Sequence, residues 1–230
     1  MIQPSLQQKL DVFFRQYKCL TYKKRTMILN SNDNPTGVFY IKSGYIRVYR
    51  ISEEGEELTL AILKEHDFFP LTYGFNGSKN NYYLEAITPL EIWKAPQDQF
   101  LQFIKGEPDL YFELTNRILI RFDDVLSRME HLIFSNAYTK VATTLLMCAQ
   151  GLGEVEGDAI IVKVPLTHKD IATMIGITRE TTSLEMKKLE RKGYISRKGK
   201  QLIITNYRLL EIEAHQTPQH ELQIQPLTII

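Results

Sequence analysis

Residues 176–200, GITRETTSLEMKKLERKGYISRKGK, set an arginine beside a glutamate, Arg179 and Glu180, directly after a glycine and a threonine. In the first turn of a helix, an arginine can donate two hydrogen bonds to the major-groove edge of guanine, and a carboxylate can accept one from the cytosine amine. A glutamate pressed against nucleic acid is repelled by the phosphates, so its presence favours base reading over nonspecific adhesion. The competing reading is an ordinary charged surface helix whose Arg–Glu pair faces water. Charge distribution bears on the choice. Between Lys163 and Lys200 ten Lys or Arg stand against four acids, in a chain of net charge only +1. One basic segment in an otherwise acidic chain is the footprint of a single domain that meets a polyanion.

These side chains need two helices around a tight turn to position them. Thr167 with Asp170 three residues on makes a capping-box start, and Ile171, Met174 and Ile175 give a buried stripe. Ala172 is small where a second helix would cross closely. Gly176 supplies the turn, Thr178 caps the second helix, and Thr182, Met186 and Leu189 line its inner side. This is the pattern of a helix-turn-helix. Tyr194–Ser196 and Leu202–Thr205 then read as strands joined by RKGK, a wing with Arg197, Lys198 and Lys200 at its tip. The expected phosphate contacts are Thr167, His168, Thr178, Thr181, Lys187, Lys188, Arg197, Lys198 and Lys200.

Upstream, from about residue 21 to 95, short runs rich in Val, Ile, Tyr and Phe are punctuated by turn residues, the signature of an antiparallel sandwich or barrel. Ile46, Val48 and Ile51 interleave with Arg47 and Arg50, which predicts one wet face, with the register slipping near Tyr49. From residue 96 the period changes: a helix breaks at Gly106, restarts at Pro108 and runs about 38 Å at 1.5 Å per residue. Its apolar stripe, Leu114, Ile118, Phe122, Val125, Met129 and Leu132, suits packing on its own subunit, or a seam against the same helix of a second copy. FSNAY at 134–138 reads as a hinge, with Ser135 or Asn136 capping the next helix. GLGEVEGD reads as an exposed turn and AIIVKV as a strand. The expected division is a β domain over 1–107, the long helix over 108–134, a DNA-binding domain over 135–208 and a C-terminal tail over 209–230, in which HQTPQHELQIQPLTII reads as a loose end whose apolar finish could dock.

At 230 residues, 43% hydrophobic and 24% charged, the chain is an ordinary folded protein of one large or two modest domains. No apolar run approaches a bilayer span and the N-terminus lacks signal-peptide features, so a cytoplasmic, non-membrane protein is expected. Cys19 and Cys148 lie far apart without CxxC spacing, and the five histidines are scattered, so no metal or other cofactor is expected. With no Gly-rich phosphate loop and no GxSxG elbow, catalysis is not expected either.

ITRETTSLEMKKLERKGYISRKGKQLIIT looks like the recognition helix and wing, and GVFYIKSGYIRVYR like the β-roll hairpin, of the cyclic AMP receptor protein and fumarate–nitrate regulator family of bacterial transcription factors, which the chain resembles over about residues 20–208. The resemblance implies an α+β architecture: an N-terminal antiparallel β-roll of the cyclic-nucleotide-binding jelly-roll type, a long dimerisation helix and a C-terminal winged helix-turn-helix. It implies a homodimer on near-palindromic double-stranded DNA, with RNA polymerase as a further partner. Arg179, Glu180 and Ser183 are the implied base readers. Many relatives have an arginine after that serine; here Leu184 stands there, able to meet a thymine methyl but not to donate to guanine.

The effector region also departs from the family. Its nucleotide-binding members carry a Gly-Glu-Leu stretch and an Arg-Ser pair, whereas this chain has Pro70, Leu71 and Thr72, then Asn80 and Asn81. Without a cation for the cyclic phosphate, no cyclic AMP response is expected. Phe69, Tyr73, Asn80, Asn81, Tyr82 and Tyr83 could line a pocket for another small molecule, or the rings could simply fill the β-roll core. In the second case the β-roll would be a dimerisation scaffold of a constitutive regulator. His66 beside Asp67 reads as an ordinary turn histidine rather than a metal ligand.

Overall fold

The structure, a computed structural model, describes residues 5–214. Its elements fall into two compact units. One comprises the chain up to Arg50 with Leu60–Phe122, and the other Ile51–Thr59 with the chain from Asp123 onward.

The first unit opens with a helix that the sequence reading missed, α1 (Leu6–Arg15). Its signal was present: Ser5 and Gln8 form a reciprocal capping box, with Gln8 N donating to Ser5 Oγ and Ser5 N donating to Gln8 Oε1. The strands follow as β1 (Lys18–Tyr22), β2 (Met27–Leu29), β3 (Val38–Ser43), β4 (Ile46–Ile51), β5 (Glu57–Leu63) and β6 (Phe68–Phe69). After the short α2 (Leu71–Asn76) come β7 (Tyr83–Ala86), β8 (Leu90–Ala95) and α3 (Gln97–Gly106). Two four-stranded sheets result, in the orders β1-β8-β3-β6 and β2-β7-β4-β5.

The β-roll expectation holds, with one local correction. β3 and β4 are not partners in a hairpin: β3 pairs with β8 and β6, and β4 with β7, so the chain changes sheets at the Ser43–Gly44 corner. The alternation in β4 slips at Tyr49, where the sequence places it. Tyr49 is buried and stacks on Tyr83 with ring centroids 5.3 Å apart, while Ile51 is exposed. α1 closes the unit by placing Phe14 against Tyr40, centroids 4.8 Å apart, and Phe13 against Phe103 at 4.3 Å. Phe100, Ile104, Leu110 and Leu114 complete this core.

The long helix, α4 (Pro108–Phe134), therefore begins inside that core. Leu114 is 5% exposed and packs within its own unit, so it cannot belong to an outward seam. Val125 and Leu132 are half-buried, and only Ile118, Phe122 and Met129 of the expected stripe are well exposed. A different stripe stands free. Phe112, Leu119, Phe122, Leu126, Met129 and Ile133 are all exposed large apolar side chains. With Thr115 they recur at alternating intervals of three and four, the heptad spacing of a coiled-coil seam.

In the second unit, Asn136 caps α5 (Ala137–Leu152), its side chain accepting from Thr139 N at 3.0 Å. GLGEVEGD is more than a turn. Its Gly153–Glu156 forms β9, which pairs antiparallel with β10 (Ala159–Val162) around Gly157. α6 (His168–Ile175) and α7 (Arg179–Arg191) follow, then β11 (Ile195–Lys198), β12 (Gln201–Ile204) and α8 (Tyr207–Ala214). The sheet runs β11-β12-β10-β9. Arg128 of α4, largely buried, donates Nη2 to the carbonyls of Met174 at 2.7 Å and Thr59 at 3.0 Å.

α8 corrects the expected tail over 209–230. Leu210 and Ala214 are buried, and Glu213, nearly buried, accepts from Lys192 Nζ at 2.6 Å. The same ammonium donates to Tyr138 Oη at 3.0 Å, so one lysine ties α5, the end of α7 and α8 together. The remainder of the expected tail lies outside the described residues.

Candidate nucleic-acid interface

The interface is built from the caps outward. Thr167 Oγ1 and N both donate to Asp170 Oδ2 at 2.7 Å, and Asp170 N returns a bond to Thr167 Oγ1 at 3.2 Å, which starts α6. Gly176 ends it with φ +67°, a left-handed conformation in which a side chain would be strained. Two residues later Thr178 Oγ1 accepts from Thr181 N at 3.1 Å, starting α7. Thr182, Met186 and Leu189 are fully buried along one side of α7. With that side committed inward, the opposite side must face out: Arg179, Glu180, Leu184, Lys187, Lys188 and Arg191 are exposed. Arg179 and Glu180 occupy the first turn, and Ser183 lies half-buried one turn on.

The expected phosphate contacts divide into free and engaged groups. Lys187, Lys198 and Lys200 are exposed, the last two flanking Gly199 at the wing turn. Lys188 is exposed but ion-paired to Glu185 Oε2 at 2.7 Å. The hydroxyls of Thr178 and Thr181 lie 2.9 Å apart and, like that of Thr167, serve the caps.

Arg197 is the marked departure from a wing-tip cation. It is half-buried, and Nη2 donates to Leu166 O at 2.5 Å and to Lys200 O at 3.4 Å. The guanidinium thus braces the wing against the segment leading into α6. Its Nη1 is buried with no acceptor among the described residues. Arg197 also lines an open cleft with Thr167, His168, Lys169, Arg179, Glu190 and Gly199. Two guanidiniums, an ammonium, an imidazole and a hydroxyl there face a single carboxylate, a set suited to an oxyanion.

The residues expected at the effector site are not gathered in this way. Phe69 is buried and stacks on Phe39 at 5.2 Å, within one sheet, whereas Tyr83 stacks on Tyr49 in the other. Tyr73 packs against the α1–α3 core. Asn80, 2% exposed, spends its amide on loop closure, donating Nδ2 to Asn30 O at 2.7 Å and to Tyr82 O at 2.5 Å. Asn81 is exposed, and Tyr82 lies half-buried near the Arg50 guanidinium. His66 Nδ1 sits 3.2 Å from Tyr40 Oη and 3.3 Å from Asp11 Oδ1, within the polar seam between α1 and β3.

Comparison with known proteins gives a consistent picture. Residues 19–107 match the family model of the cyclic nucleotide-binding domain, and residues 139–212 that of the Crp-like helix-turn-helix domain. The cAMP-activated global transcriptional regulator CRP of Pasteurella multocida is 25% identical over 87% of this chain and 96% of its own. The global nitrogen regulator of a Nostoc species is 27% identical over 80% of this chain and 83% of its own. Among solved structures, FixK2 from Bradyrhizobium japonicum superposes with a TM-score of 0.77 at 21% identity, covering 88% of this chain and 99% of that one. By name, the first of these relatives is a transcriptional regulator and the second a nitrogen regulator. No helix among the described residues is long and apolar enough to cross a membrane.

His168 carries a pH signature. Burial holds its imidazole below the usual histidine range, reinforced by Arg197, Arg179 and Lys187 and opposed by Glu190. Because the folded state binds the proton less readily than the unfolded chain, whose histidine titrates near 6.5, this stabilisation is present above about pH 6.5 and is lost as pH falls through the folded value. NMR titration should place the His168 midpoint below 6.5. Denaturation between pH 5 and 8 should show a loss of stability on the acid side that His168→Gln removes.

Proposed function

This chain belongs to the cyclic AMP receptor protein and fumarate–nitrate regulator family of DNA-binding transcription regulators, and from that premise we propose that it acts as a homodimer reading a near-palindromic site, with one α7 helix in each of two successive major grooves. The observation that carries this reading is the division of α7 into a buried side, Thr182, Met186 and Leu189, and an exposed side beginning with Arg179 and Glu180. Base choice falls to Arg179, Glu180, Ser183 and Leu184. Thr167, His168, Thr178, Thr181, Lys187, Lys188, Lys198 and Lys200 serve the phosphates, and the cleft beside Arg197 supports a seat for one of them.

The exposed heptad on α4 supports the dimer. Six large apolar side chains left in water along one line are a cost that a second copy of the helix removes. Such a pairing suits two α7 helices spaced by one turn of duplex, about 34 Å. RNA polymerase is the further partner through which a regulator so bound would act.

Control by a small molecule other than cyclic AMP at the β-roll is the remaining part of the proposal. Pro70, Leu71, Thr72, Asn80 and Asn81 offer no cation to a cyclic phosphate. One observation favours a second reading, a constitutive regulator without effector: Phe69, Tyr83 and the Asn80 amide are already committed to packing and loop closure.

Arg179→Ala should cost about 1–3 kcal/mol on the preferred site and relax choice at one base pair, measured by binding selection. Lys198→Ala should weaken all sequences alike and reduce the salt slope by about one. Equal losses from both variants on every sequence would show the assigned roles to be wrong. In sedimentation, Leu126→Lys should give a monomer that remains folded, whereas Leu114→Ala should keep the dimer and lose about 2–5 kcal/mol of stability. Cyclic AMP should leave the melting temperature unchanged; a rise with any other metabolite in a panel would favour the effector over the constitutive reading.

A further inference from the structure

Leu184 is 61% exposed on a strip of α7 whose other exposed members, Arg179, Glu180, Lys187, Lys188 and Arg191, are all charged. It caps nothing and fills no core. Its neighbours are otherwise occupied: Glu185 is ion-paired to Lys188, and the Thr181 hydroxyl faces Thr178. Leu184 follows Glu180 by four residues, so it stands one helical turn behind it on the same face, about 6 Å along the axis.

We propose that Leu184 reads a C5-methyl group in the major groove, so that each half-site carries a thymine next to the bases met by Arg179 and Glu180. A leucine cannot donate or accept, so hydrogen-bonding edges at that step are not what it distinguishes. The thymine methyl is the one apolar feature that the groove presents. The same methyl is carried by 5-methylcytosine, which makes the contact sensitive to the methyl group itself rather than to base identity. This inference rests on the DNA-reading role of α7 given above.

The test uses the full chain and its selected duplex, with each thymine replaced singly by deoxyuridine and each cytosine by 5-methylcytosine. At one step per half-site, deoxyuridine should weaken wild-type binding about fourfold, the value of one buried methyl. A duplex with cytosine at that step should bind more tightly when the cytosine is methylated. Leu184→Ala, at an exposed position where folding is not at stake, should bind the thymine and deoxyuridine duplexes alike. Tolerance of deoxyuridine at every step, or discrimination persisting in Leu184→Ala, overturns the inference and leaves the regulator reading standing. Absence of any preferred sequence overturns both.

Discussion

Thr182, Met186 and Leu189 are withdrawn completely from water, and their burial fixes the rotation of α7 about its own axis. A helix free to roll could offer any face; one held by three inward side chains can offer only the opposite face. The caps at Thr167 and Thr178 and the left-handed Gly176 then fix where α7 begins, and so which residues occupy its first turn. Arg179 and Glu180 are exposed there because other residues are not. Lys192 reinforces the arrangement from the far end of the helix, where its bonds to Glu213 and Tyr138 prevent fraying.

α4 follows the opposite logic, since one helix satisfies different demands along its length. Leu110 and Leu114 complete the aromatic core built by α1, while the stripe from Phe112 to Ile133 is left outside. A single unbroken helix can do both because residues three and four apart share a face while neighbours do not.

Much of this was legible from residue types. Capping pairs, glycine turns and buried spacing in α6 and α7 are local, and local chemistry reads directly. What escaped depended on partners distant in the chain. The stripe through Leu114 had helical spacing, but whether a leucine faces its own subunit or a second copy is decided by the core around it, here Phe14, Tyr40 and Phe100. β3 and β4 looked like a hairpin because a short turn joins them, yet their hydrogen bonds go to β8 and β7. α8 carries the fold past the expected boundary at 208 because the partner of Glu213, Lys192, lies 21 residues earlier. Asn80 looked available because a sequence does not display a hydrogen bond to the carbonyl of Asn30. Arg197 looked like a free cation for the same reason.

The ion pairs of α7 have a consequence for ionic strength. Each phosphate neutralised by a lysine or arginine releases condensed counterions, and that release is the entropic share of binding to a polyanion. An ammonium already paired with a carboxylate, as Lys188 is with Glu185 and Lys192 with Glu213, has less to exchange with the ion atmosphere than its formal charge suggests. The wing and α7 therefore form a smaller electrostatic antenna than ten basic residues imply, and a larger share of the grip falls to shape and to base edges, which salt does not screen.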